Sequence, residues 1–122
     1  MSDKKRITVV NIGDLATVRF NDSKIVDSAN IEEMGAELSS LVETEKIIQI
    51  LLIFDGVEFL SSAALNKLIL IERKVKEAGG NLRLCALREE IKEVFTITRL
   101  DRIFDIRDSE SDGLKAFGVP PQ

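Results

Sequence analysis

Residues 47 to 54, Ile-Ile-Gln-Ile-Leu-Leu-Ile-Phe, are apolar at every position except Gln49. A strand with one wet face alternates polar and apolar residues, and this run does not. It fits a central strand covered on both faces, which requires other elements packed above and below it. Asp55-Gly56 closes the run with a turn signal. A helix follows from about Ser62 to Ala78. Ala64, Leu68, Ile71, Val75 and Ala78 recur at spacings of 4, 3, 4 and 3, and Leu65 and Ile69 widen that face. Glu72, Arg73, Lys74, Lys76 and Glu77 fall mostly on the opposite side. Gly79-Gly80 is a natural left-handed stop.

The rest of the chain alternates in the same way. Residues 7 to 12 read as a strand, and Gly13-Asp14 is a turn. Ala16, Val18 and Phe20 then alternate with Thr17 and Arg19, a half-buried strand that completes an antiparallel hairpin. Asn21-Asp22-Ser23 is a loop. A helix begins near Asp27 or Ser28, both good capping types, and carries Ile31, Met34, Leu38, Leu41 and Val42 at helical spacing. Gly35 inside it marks close packing. Residues 81 to 86 form a strand, and Glu89 to about Thr98 a helix with Ile91, Val94 and Phe95 inward. Phe104-Asp105-Ile106 is a short final strand or an extended piece. Asp108-Ser109-Glu110-Ser111 caps a last helix that ends at Phe117-Gly118. The order ββαβαβαβα predicts an α/β fold: a central, mostly parallel mixed sheet with packed helices and an N-terminal β-hairpin. At 122 residues this is one domain, 1–122, with its core over about 6–118.

Composition removes several functions. There is no histidine, so His-based acid–base catalysis and Ser-His-Asp triads are out, along with the commonest metal ligand. No tyrosine or tryptophan is present to stack bases, and the net charge of −4 argues against nucleic acid or an anionic membrane as partner. The single cysteine, Cys85, lies in a strand-like run and reads as a buried structural thiol. No signal peptide and no apolar run long enough to span a membrane are seen, so a reducing cytoplasm is expected. Gly79-Gly80 lacks the context of a phosphate loop. Acidic clusters such as Glu43-Glu45, Glu89-Glu90 and Asp108-Glu110 read as solvated faces and helix starts. No metal or cofactor is expected.

Two features could carry chemistry. Asp55 ends a central strand as the phosphoacceptor of a response-regulator receiver does. The acidic pair that such chemistry needs after the first strand is missing, and a turn aspartate is the better account. Ser61 and Ser62 stand where the strand-to-helix loop ends, beside free backbone N–H groups and the positive end of a helix dipole. One reading is that one of them caps the helix, which contributes about 1 kcal/mol. The other is phosphoacceptance, which would add nearly two negative charges at a point where local N–H groups can receive them.

The segment Asp55-Gly56-Val57-Glu58-Phe59-Leu60-Ser61-Ser62-Ala63-Ala64-Leu65 resembles the signature of the STAS domain of bacterial anti-sigma factor antagonists. That signature runs Val-x-Phe, a hydrophobic residue, Asp-Ser, a small residue, then Gly-Leu. Gly79-Gly80-Asn81-Leu82-Arg83-Leu84 is similar to the family's turn into its next strand, and Val94 to Phe104 to its Leu-Asp-x-hydrophobic-Phe segment. Asp108 to Ala116 resembles its final helix. The resemblance implies the STAS fold, with Ser62 as phosphoacceptor and Ser61 as the alternative. It further implies a partner-binding loop of Asp55, Gly56, Leu60, Ser61, Ser62, Ala63 and Asn66. The implied partner is an anti-sigma factor that is also a serine kinase, bound by the unphosphorylated form and released after phosphorylation. This chain would then be a kinase substrate, not an enzyme. Oligomeric state is open, with a monomer expected. Ser61 stands where the family has Asp, Ala64 where it has Gly, and Asn66 at a position commonly small. These departures keep in view an alternative, a STAS scaffold or sensory module that binds partners without phosphorylation.

Overall fold

In the computed structural model, which describes residues 5–119, the apolar run supplies the middle strand of the main sheet. The strands are β1 (Ile7–Ile12), β2 (Leu15–Phe20), β3 (Lys24–Ile25), β4 (Gln49–Ile53), β5 (Phe59–Leu60), β6 (Asn81–Cys85) and β7 (Asp105–Arg107). The helices are α1 (Ser28–Glu43), α2 (Ser62–Glu77), α3 (Glu89–Ile97) and α4 (Glu110–Ala116). Five strands form one sheet in the order β1-β2-β4-β6-β7. The β1–β2 hairpin is antiparallel and every other pairing in the sheet is parallel. The fold is therefore α/β with a mixed, mostly parallel sheet, as the alternation of elements predicts.

Residue parity along the strands divides the core in two. Val18, Phe20, Ile50, Leu52, Leu82 and Leu84 face one way and pack against Met34 and Leu38 of α1, Leu68 and Ile71 of α2, and Ile91 and Phe95 of α3. Leu15, Leu51, Ile53 and Cys85 face the other way and meet Leu114 of α4. A fully buried Leu or Ile of this kind contributes about 1.5–3 kcal/mol. Two glycines allow close approaches, one between α4 and the sheet and one between neighbouring chain segments at the start of β4 and β6. A Cβ on Gly113 would stand 2.8 Å from Leu51 Cδ1, so α4 lies unusually close to the sheet. A Cβ on Gly80 would come within 2.0 Å of the Ile48 carbonyl oxygen.

Several expectations need correction. Lys24–Ile25, given no element by the sequence, and Phe59–Leu60, read as part of the strand-to-helix loop, pair as a separate two-stranded parallel ladder. Two residues are too few for any hydrophobic period to show. Thr17 is buried rather than half-wet, because its face of β2 is covered and its hydroxyl donates to the Val10 carbonyl at 2.9 Å. Glu72 is also buried, at 6% exposure, and does not lie with the solvated charges of α2. Ala78 is exposed: α2 ends at Glu77, and Gly79 turns the chain away at φ +85°. Val94 is half-buried, while Ile91 and Phe95 alone of that trio are fully inward. A 3-10 turn over Leu100–Arg102, not anticipated, follows Arg99 in the left-handed region at φ 64°. Gly35 does mark a close approach, to the Lys67 side chain of α2.

Candidate functional site

The loop from β4 to α2 is built by three local devices. Val57 N–H donates to the Phe54 carbonyl at 2.9 Å, closing a tight turn over Asp55-Gly56. Phe59 and Leu60 then pair with Lys24 and Ile25. Finally, the Ser61 N–H donates to the Ile25 carbonyl at 3.1 Å, which fixes the point where α2 begins.

The two serines at that point differ in role. Ser61 has extended backbone, φ −82° and ψ 167°, and its Oγ accepts the Ala64 N–H at 3.2 Å. It is the N-cap of α2. Ser62 is the first residue of the helix and is exposed, and its hydroxyl makes no hydrogen bond among the described residues. The N–H groups of Ser62 and Ala63 belong to the first helical turn, ahead of the Leu65 N–H that donates to the Ser61 carbonyl. A free hydroxyl thus sits beside unspent donors at the positive end of a 16-residue helix.

The remaining loop residues separate clearly. Asp55, Ala63 and Asn66 are exposed around the serines. Asp55 lies 4.0 Å from the Arg19 guanidinium, which also pairs with Glu110 of α4. Gly56 is exposed, and a Cβ there would meet nothing within 4 Å. Leu60, by contrast, points into the main core and offers no contact surface. Phe59 beside it is 55% exposed, and Val26, just past β3, is 49% exposed. Sequence reasoning passed over both. No periodic signal marks them: that Phe59 points out and Leu60 in is legible only once the β3–β5 pairing is known. Cys85 is buried under α4 and its thiol is pushed up to about 12 by that burial, so it is inert structure rather than chemistry.

Residues 6–113 match the family model for the STAS domain. The chain belongs to the STAS domain family. Among curated relatives, BtrV of Bordetella bronchiseptica, described as a candidate anti-sigma factor antagonist, is 31% identical over 76% of this STAS domain and 79% of its own length. Solved structures share the fold. A candidate anti-sigma factor antagonist of Thermotoga maritima superimposes with TM-score 0.74 at 21% identity, covering 90% of this chain and 92% of that one. The Bacillus cell fate determinant SpoIIAA, in its phosphorylated form, does so with TM-score 0.71 at 15% identity, covering 91% and 98%. No helix of this STAS domain among the described residues is long and apolar enough to cross a membrane.

Proposed function

We propose that this STAS domain is an anti-sigma factor antagonist switched by phosphorylation of Ser62. The unphosphorylated form binds an anti-sigma factor with serine kinase activity through the exposed part of the β4–α2 loop, in the cytoplasm and as a monomer. The kinase then transfers phosphate to Ser62 and the complex separates. The observation that supports this reading best is the division of labour between the serines: Ser61 is occupied as the cap, while the Ser62 hydroxyl is exposed and unspent. A phosphate there would lie beside the first-turn N–H groups, so the fold would tolerate it. A partner surface packed on Phe59, Ala63 and Asn66 would instead bury about two negative charges without a counterion. The names of the curated relatives support the partner class.

The test is incubation with the anti-sigma kinase and Mg-ATP, followed by mapping of the modified residue. Phosphate on Ser62, lost in Ser62→Ala and kept in Ser61→Ala, is the expected result. Phosphate on Ser61, or none on either serine, overturns the switch. A second reading, a scaffold that binds without phosphorylation, is favoured by the neutral Ser61 and by Ala64 at positions where the family signature has Asp and Gly. It predicts that Ser62→Asp leaves partner binding intact, whereas the switch predicts that binding is lost.

A further inference from the structure

Gln49 is the one polar residue in the apolar run, and the serine loop gives it no role. It lies at the opposite end of β4, on the face of the sheet that α4 covers in part. There it borders an open cleft of about 460 Å³ between the sheet, the β1–β2 turn and the end of α4. Asn81 is its partner across to β6, and Asn81 Nδ2 donates to Gln49 Oε1 at 3.1 Å. That leaves the Gln49 amide NH2 unspent. Arg83, two residues along β6 on the same face, completes the row.

Arg83 is the informative group. Its side chain is 19% exposed. Nε donates to Asp105 Oδ2 at 2.9 Å, and the guanidinium carbon lies 4.5 Å from the centre of the Phe117 ring. Ring and carboxylate together fix the plane of the fork. Nη1 and Nη2, however, have no acceptor among the described residues, and Arg83 lines the cleft. A largely covered guanidinium with two unused amino groups is matched to a bidentate carboxylate.

We propose that this cleft binds a small monocarboxylic acid with an apolar body. The carboxylate would take the free nitrogens of Arg83 and the NH2 of Gln49, and the body would lie on the half-buried Ile12 and Val119. All three polar groups stand on strands, so the donors are held in place before any ligand arrives. Charge selects the ligand class. Asp14 lies on the rim, and Asp105 behind Arg83 stays ionised, its carboxyl held below the usual range first by Arg107 and then by Arg83. A second negative charge on the ligand would meet these carboxylates, so a monoanion is favoured over phosphate or a dicarboxylate. The site lies at the end of the sheet away from the serines and does not depend on the phosphorylation switch.

The experiment is a two-dimensional NMR titration of the full chain with benzoate, with benzamide and inorganic phosphate run alongside. Benzoate should shift the Gln49 and Asn81 side-chain NH2 signals and the Arg83 Nε–H signal together and saturably. Benzamide should bind roughly tenfold more weakly or worse, the loss of one charge-assisted pair. Arg83→Met should weaken benzoate by a similar factor while the rest of the spectrum stays dispersed. If that variant unfolds, Gln49→Leu serves in its place. Absence of saturable shifts at these three side chains overturns the site, as does undiminished binding by a folded variant. Phosphate binding as tightly as benzoate overturns the ligand class.

Discussion

The Ser61 hydroxyl oxygen accepts the Ala64 N–H at 3.2 Å, and this one bond divides two adjacent serines into a structural residue and an exposed one. Ser61→Ala should therefore lower stability by about 1 kcal/mol, read as a fall in Tm or denaturant midpoint. Ser61→Asp keeps a good cap and places a negative charge at the helix start, so it should hold or raise Tm. Ser62→Ala touches no cap and should move stability by less than about 0.5 kcal/mol.

Gly80→Ala is a harsher change. Its Cβ would meet the Ile48 carbonyl oxygen at 2.0 Å, and a backbone atom cannot swing aside. Moreover, Asn81 N–H donates to that same carbonyl at 2.8 Å, so the clash also pries apart the start of β6. Destabilisation of about 3 kcal/mol is expected by chemical denaturation, the upper range for overpacking. Gly79→Ala has open space around it but must adopt φ +85°, and should cost about 1–2 kcal/mol.

Glu72 makes stability depend on pH in an unusual direction. Its side chain is buried, Oε1 has no hydrogen-bond partner among the described residues, and desolvation raises its pKa above the ordinary 4.5. The folded state therefore holds this proton more tightly than the unfolded state does. The contribution is fully present below the unfolded pKa and is lost as pH rises through the folded one. Glu72→Leu should raise stability at pH 7 by about 1–3 kcal/mol, the cost of an unsatisfied buried polar group, and should flatten this part of the pH profile. Asp105 works the other way. Arg107 and then Arg83 lower its pKa, so its contribution is present above 3.8 and fades as pH falls through the lower folded value. Denaturant midpoints from mildly acidic to neutral pH, for wild type and Glu72→Leu, check the sign.

Glu37 ties the start of β1 to α1. Its carboxylate accepts the Arg6 N–H at 3.0 Å and the Ile7 N–H at 3.2 Å, while the Arg6 side chain reaches Glu33 and Asp22. Glu37→Ala leaves two backbone donors without that acceptor and should cost about 2 kcal/mol. Glu37→Gln keeps an acceptor oxygen and should cost about half as much. Amide exchange at Arg6 and Ile7 should accelerate first in both variants.

What could be read in the sequence follows from how many residues carry each signal. The β4 run and the apolar stripe of α2 repeat their pattern often enough to fix element, face and neighbours, as Ile50, Leu52, Leu68 and Ile71 show in one core. A pair of residues such as Phe59-Leu60 carries no period, and its strand exists through backbone bonds to Ser23 and Ile25 that composition does not encode. Glu72 was misplaced for a related reason: a charged type on a helix suggests water, and its burial is decided by what surrounds that side of α2. At the site, the helix start and both serines were legible. Which of them caps was not, because the answer turns on one φ/ψ pair, that of Ser61. The family resemblance places Leu60 in the partner-binding loop, but its side chain belongs to the core.

The short β3–β5 ladder has a kinetic consequence. Glu58 N–H is held by the Ser23 carbonyl and Ser61 N–H by the Ile25 carbonyl, while α1 starts at Ser28 and α2 at Ser62. Both helices are thus hung from the same two rungs. Their first turns should fray in one cooperative opening rather than separately, with amides of the two strands exchanging at a common rate. Whatever grips the serine loop therefore also damps the beginning of α1, some 34 residues earlier in the chain.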